Sequence, residues 1–268
     1  MLPRGGGRLE RGVRVIKPGE EWGRSTDASA DVECRGDDQA LAALISPPVR
    51  GNDASSAVEP REPTPVEVPR HPLVRFRPEG SDLARSVGLA ETRAGAGRAA
   101  HRATGGADDD PPARGVELRI DAIASDLGVA MNGVILGVLP TRLRPYHRRR
   151  SVVVRVDGRE LFSGGATSVV IANGQFLEGT DLVPRGHPGD GRLEIQVYAL
   201  APGERPPMRR RLPTGSHLPH PHILTTSGRA IEVEGLTRPW PVTLDRRRAT
   251  VKSRLSLSVL PNAIRLLI

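Results

Sequence analysis

The chain of 268 residues carries a formal net charge of +8, a pI near 10.9 and only 3% aromatic residues. Its single cysteine, Cys34, excludes a disulfide framework and a cysteine-based zinc site, and no run approaches the ~20 apolar residues of a membrane-spanning helix. The basic charge raises nucleic acid as a partner. However, the arginine runs 142–150, 209–211 and 246–248 are short of the interleaved aromatics that stack on bases, so nucleic acid is the less expected one.

Taken in chain order, Val13–Ile16 reads as a short strand and Asp31–Arg35 alternates like a second. Residues 37–45 form a helix, capped by an aspartate and stopped at Pro47-Pro48. Residues 46–72 are rich in Pro, Glu and Ser and read as a linker, after which 71–76 is a strand candidate. Gly80–Gly88 opens like a capped helix and closes on a glycine. Residues 90–114 are Ala, Gly, Arg and Asp, a composition expected to be disordered.

From Val116 the texture changes to short β-type runs: 116–120, 129–139, 151–156, 168–172, 193–200, 230–233, 241–244, 249–252, 255–260 and 263–268. Most are punctuated by Gly, Pro, Asp or Asn, which argues for an antiparallel sandwich or barrel, and Met208–Leu212 is a short helix candidate. The start, Met1–Gly7, lacks the apolar core of a signal peptide, so the expectation is a cytoplasmic chain.

The stretch from Val169 to Ile195 holds the sharpest motifs. An apolar run stops at Asn173-Gly174, and a polar loop ends in Asp190-Gly191 before the next run; both dipeptides signal turns with positive φ. Two strands separated by a loop with a lone acid make either a plain hairpin or an ion site.

The order Asn173-Gly174, Gly179, Pro184, Asp190-Gly191, Leu193 resembles the C-terminal domain of the diacylglycerol kinase-like lipid kinases. Gly215-Ser216-His217 resembles that family's Gly-x-His segment, and 241–245 with 255–264 its two closing strands. Upstream, Gly80-Ser81-Asp82-Leu83-Ala84-Arg85-Ser86-Val87-Gly88 resembles the Gly-Asn-Asp-Leu-Ala-Arg-Ser-Leu-Gly segment that ends the nucleotide-binding domain. The resemblance implies a mainly β (α+β) chain with a reduced α/β segment at 1–89, a linker at 90–114 and a C-terminal antiparallel β-sandwich at 115–268. The implied reaction is ATP- and Mg²⁺-dependent phosphorylation of a lipid hydroxyl.

It also implies site residues. Gly80, Ser81 and Asp82 would face the nucleotide. Asp190, with the backbone carbonyls of His187 and Arg192, would hold a structural Mg²⁺, as a hard cation prefers oxygen donors. Asn173, His217 and Asp245 would line the substrate cleft. Departures from the family pattern are equally plain. No Gly-Gly-Asp-Gly-Thr phosphate loop is recognisable in residues 1–79, the segment's Asn is Ser81, and the closing Asp-Gly-Glu becomes Asp245-Arg246-Arg247. Arginine cannot accept a proton at neutral pH, so no catalytic residue is assigned and kinase activity by this chain alone is expected to be impaired.

The other expectations are a non-catalytic lipid- or partner-binding module, at an anionic membrane surface or beside a separate nucleotide-binding chain. His217, His220 and His222 read as a loop rather than a metal site, because Pro219 and Pro221 extend the backbone between them. Trp22, Phe176 and Trp240 read as core or lid, and the run Arg142–Arg150 as a solvated loop or a patch for anionic lipid headgroups.

Overall fold

The computed structural model describes residues 24–26, 28, 30–46, 73–89, 115–235, 238–251 and 253–267. The strand expected at 13–16, Trp22 and the linkers expected at 46–72 (apart from Ser46) and 90–114 lie outside them. The first unit comprises β1 (Arg24–Thr26), β2 (Val32–Gly36), α1 (Asp38–Ile45), β3 (Leu73–Pro78) and α2 (Asp82–Ser86). Both helices start where the sequence places them. Asp37 and Ser81 are the caps, each side chain accepting from the backbone of the first turn.

After Gly115 the chain is almost all strand. β4 (Gly115–Ser125), β5 (Gly128–Ala130), β6 (Gly133–Gly137), β7 (Arg150–Val156), β8 (Arg159–Ala166) and β9 (Ser168–Ala172) come first. A small hairpin of β10 (Phe176–Leu177) and β11 (Thr180–Asp181) follows, then β12 (Leu193–Tyr198) and the short α3 (Arg205–Arg211). The chain continues through β13 (Ile223–Gly228), β14 (Ala230–Glu234), β15 (Trp240–Leu244), β16 (Arg247–Val251) and the long β17 (Leu255–Leu267).

Two sheets pack face to face. One has the order β13-β12-β9-β6-β15-β16, with antiparallel pairing throughout. The other runs β1-β4-β17-β14-β7-β8, with β5 on β4 and β2-β3 attached to β17. Between them lies a core of aliphatic side chains and Trp240, which is 2% exposed and so belongs to the core. A second core joins Leu41, Phe76, Leu83 and Val87 of the first unit to Leu118, Ile120, Ile264 and Leu266. A third, with Leu143, Tyr198, Met208 and Leu212, covers the outer face of the six-stranded sheet.

β17 connects the two units. Leu255–Ser258 pair with β14, whereas Arg265–Leu267 pair in parallel with β3, and β4 follows both halves. The register shifts between Leu260 and Ile264, where Asn262 has φ 50° and its N–H donates to Asp121 Oδ1 (2.8 Å). Such a bulge bends a strand without ending it. The sequence runs 255–260 and 263–268 are thus one strand, while the run 129–139 is two strands, β5 and β6. The strands β8 and β13 escaped notice because RELFSGGA and ILTTSG show no clean alternation.

Asn173-Gly174 does not form the expected left-handed turn, since Gly174 is outside the positive-φ region. A Cβ there would come within 2.6 Å of Ser86 Oγ and 2.4 Å of Asn132 Oδ1, so glycine is required by close approach of α2. Gly191, in contrast, has φ 70°, as its Asp-Gly turn demands.

Candidate functional site

One cleft opens where the two units meet. On the α/β side, β2 turns through Gly36 (φ 145°) into α1, and a Cβ on Gly36 would lie 2.9 Å from that of Ala40. Asp37 Oδ1 accepts from the N–H groups of Gln39 (3.0 Å) and Ala40 (3.3 Å). Asp38 points the other way and caps α2, accepting from the Ser81 hydroxyl and from the N–H groups of Asp82 (3.2 Å) and Leu83 (3.3 Å). Ser81 Oγ in turn accepts from Ala84 N–H (2.9 Å). A helix N-terminus attracts an anion through unpaired N–H groups. Here carboxylates of the chain itself occupy both.

On the β side, Asp245 sits in the β15–β16 turn with φ 42°, followed by Arg246 at 71°. Its carboxylate accepts from three successive backbone N–H groups: Met131, Asn132 (3.1 Å) and Gly133 (2.8 Å). Holding those amides interrupts the run 129–139 between β5 and β6. Gln39 Nε2 crosses the cleft to donate to the Asp245 carbonyl (2.5 Å). Asp82 accepts from Gly179 N–H (2.8 Å) and lies 3.5 Å from the Arg246 guanidinium. Asn132 Nδ2 ties the β10–β11 hairpin to the floor by donating to the Phe176 carbonyl (2.7 Å).

The lining is therefore acidic: Asp37, Asp38, Asp82, Glu178 and Asp245 stand against Arg246. Burial, followed by the Asp245 charge, raises the proton affinity of Asp38 above the ordinary carboxylate range. Burial also raises Asp245, against the lowering effect of its three amide donors. The two carboxyls resist ionising together.

The β domain matches the family model described as the YegS C-terminal NAD kinase β-sandwich-like domain, over residues 113–268. The chain belongs to this family. Two solved structures from Bacillus anthracis str. Sterne share its fold. One, provisionally assigned as a diacylglycerol kinase, has 14% identity and a TM-score of 0.61, over 88% of this chain and 77% of the other. A second diacylglycerol kinase has 16% identity and a TM-score of 0.52, over 73% of this chain and 66% of the other. No curated protein matches the sequence. The resemblance to diacylglycerol kinase-like proteins drawn from the motifs is thus upheld at the level of family and fold.

The YegS-type fold gathers some of the expected site residues and separates others. Gly80, Asp82 and Asp245 line the cleft. Ser81 is fully buried beneath it as a cap. Asn173 is not a cleft residue. It is 1% exposed, and its Nδ2 donates to the carbonyls of Asp121 (2.7 Å) and Met131 (2.9 Å), tying β9 to β4 and the β5–β6 break. His217 is also outside the cleft, fully buried with Nε2 3.1 Å from the Leu182 carbonyl. Burial pulls its pKa down to about 4, which makes it a neutral packing group. His222 pairs with Glu204 (2.6 Å), and no metal-binding group of three or more His, Cys, Asp or Glu occurs among the described residues.

Asp190, His187 and Arg192 share the loop before β12, apart from the cleft lining. Asp190 Oδ1 accepts from Arg192 N–H (2.9 Å), and Asp121 accepts from Gly191 N–H (2.7 Å). The hairpin reading of this stretch corresponds to β9 and β12 as antiparallel neighbours, with Glu194 opposite Ala172.

Asp37 and Asp38 were not foreseen as site residues. The strand β2, Gly36, Asp38 and the helix α1 follow one another directly, and this turn lines the cleft together with Asp82 and Asp245. The signal was present in the acidic pair Asp37-Asp38 between β2 and α1, where the sequence offered only a helix cap.

Proposed function

We propose that the chain is a divergent diacylglycerol kinase-like protein whose cleft does not transfer phosphate by itself, and that it acts as a lipid- or partner-binding module. The observation carrying this reading is the filling of both helix N-termini by Asp37 and Asp38 within an acidic lining. A nucleotide phosphate would have to displace a capping carboxylate and then face several others. The family's reaction also calls for a base to take the proton of the lipid hydroxyl, and at its position stands Arg247, which donates to the Leu127 carbonyl (2.7 Å). A separate nucleotide-binding chain would supply what is missing if the reaction occurs at all.

Titration calorimetry with ATP and Mg²⁺ tests this directly: no binding is expected at millimolar ATP, and no turnover on diacylglycerol. Submillimolar affinity together with phosphatidic acid formation would refute it.

The donor set of the Asp190 loop suits a hard cation. Burial, with Asp121 nearby, raises Asp190 to about 6, and burial with Asp190 raises Glu194 to about 7, so positive charge would be welcome there. In this reading Asp190 and the carbonyls of His187 and Arg192 hold Mg²⁺, which braces the loop before β12. Millimolar Mg²⁺ is expected to raise the melting temperature of the wild type and not of Asp190→Asn. Equal behaviour of the two proteins would mean that hydrogen bonds alone close the loop.

A further inference from the structure

The arginine run 142–150 takes up a built surface. Leu143 is fully buried as its plug, and Arg205, 1% exposed, lies beneath it. The Arg205 guanidinium donates to the carbonyls of Arg144 (3.0 Å), Pro145 (2.8 Å), His147 (2.6 Å) and Leu200 (3.2 Å). Arg209 adds a bond to the Leu143 carbonyl (3.2 Å), and His147 Nδ1 accepts from Arg144 N–H (2.9 Å). A buried cation thus fixes the backbone of an exposed loop. At its tip Tyr146 is 76% exposed, the largest exposure of any big hydrophobic side chain among the described residues.

Arg144, Arg148 and Arg149 flank Tyr146 in the loop, and Arg210 and Arg211 follow Arg209 at the end of the helix bonded to it, all five exposed. Arg144, Arg148, Arg210 and Arg211 have no side-chain hydrogen bond or ion pair among the described residues. Neither 140–150 nor 205–211 contains an acid. The loop also touches the cleft. Arg142 pairs with Glu178 (3.1 Å), which sits in the β10–β11 turn and lines the cleft mouth.

We infer that this loop and the end of α3 form a docking surface for an anionic lipid bilayer, which sets the mouth of the cleft toward the membrane. The inference deepens the lipid-binding reading above and rests on it. An exposed tyrosine flanked by exposed arginines suits the interface of a bilayer, where amphipathic rings settle at headgroup level. With Tyr146 as the single Phe, Trp or Tyr of 140–150 and 205–211, it offers no run of aromatics for stacking along a nucleic-acid strand. Because Arg205 already orders the backbone, little conformational freedom remains to be lost on docking.

The test is co-sedimentation with vesicles of phosphatidylcholine with and without phosphatidylglycerol. The wild type is expected to bind only the anionic vesicles, and less as salt rises. Each arginine removed should weaken binding about fivefold, the equivalent of about 1 kcal/mol, so R144Q/R148Q/R210Q/R211Q should lose at least about a hundredfold. These side chains are exposed and have no bonded partner among the described residues, so folding, checked by circular dichroism, is expected to be intact. Tyr146→Ser should weaken binding on its own. Unchanged binding by the quadruple variant, equal binding to neutral vesicles, or displacement from vesicles by random duplex DNA at equal phosphate would overturn the inference. Failure here leaves the ATP titration unaffected, whereas phosphatidic acid formation would overturn the functional reading and leave the docking surface standing.

Discussion

Asp245→Ala is expected to lower the free energy of unfolding by about 3–9 kcal/mol, from about 1–3 kcal/mol for each of three buried donors left without a partner. The carboxylate closes three consecutive N–H groups, those of Met131, Asn132 and Gly133. Against a typical stability of about 5–15 kcal/mol this is a large share. Asp245→Asn separates geometry from charge. Its amide oxygen can keep Asn132 and Gly133, but its NH₂ group then faces the Met131 N–H, and the expected cost drops to about 1–3 kcal/mol. Urea denaturation of the three proteins, at equal m-values, gives the comparison. Equal stability of the alanine variant and the wild type would show that Asp245 is not the clamp of the β5–β6 break.

The second large effect is on pH dependence. Asp38 and Asp245 are both held above the ordinary carboxylate range, so the folded chain binds their protons more tightly than the unfolded chain does. The groups facing Asp38 are Asp245 across the cleft, Asp82 in the helix it caps and Asp37 beside it, with Arg246 near Asp82 and Glu178 also in the lining. The favourable contribution of bound protons is complete below about pH 4, where the unfolded chain is protonated too. It is lost as pH rises from there through the folded-state values, at up to about 1.4 kcal/mol per pH unit for each group. His217 works in the opposite direction, since its depressed pKa removes stability as pH falls below the usual histidine range. The diagnostic quantity is therefore the difference between wild type and Asp38→Asn. The variant should be less stable in acid, where its NH₂ group opposes the Asp82 N–H, and should gain on the wild type steadily toward alkaline pH. A constant difference across that range would rule out the carboxyl pair as its source.

How much of this was written locally in the chain varies by element. The caps of α1 and α2 were legible because Asp37 and Ser81 act within three residues of themselves. The strands β9, β12 and β15 were legible from their apolar runs. β17 was not, because Leu260-Pro261-Asn262-Ala263 reads as a turn, and only the Asp121 carboxylate makes it a bulge. The residues of the cleft were legible in part. Gly80, Asp82 and Asp245 stood out through the family pattern, but Asp38 meets Asp245 across some two hundred positions, and no local rule joins them. Gly174 was marked for the wrong reason, since its glycine answers the approach of Ser86 rather than a turn. Asn173 and His217 are polar residues that resemble ligands in sequence and serve as struts or packing once buried.

The long last strand has a consequence for the order in which the protein matures. β3 finds its partner near residue 266, and the other edge of that partner is held by β4. As the chain emerges during synthesis, the first unit has two helices and three strands, of which β1 and β3 still lack their partners β4 and β17. Loop closure over such a span is slow, and unpaired edges invite wrong partners meanwhile. The first unit therefore reaches its native state only when the end of the chain arrives, and a ribosome-bound nascent chain ending before residue 255 should leave it protease-sensitive.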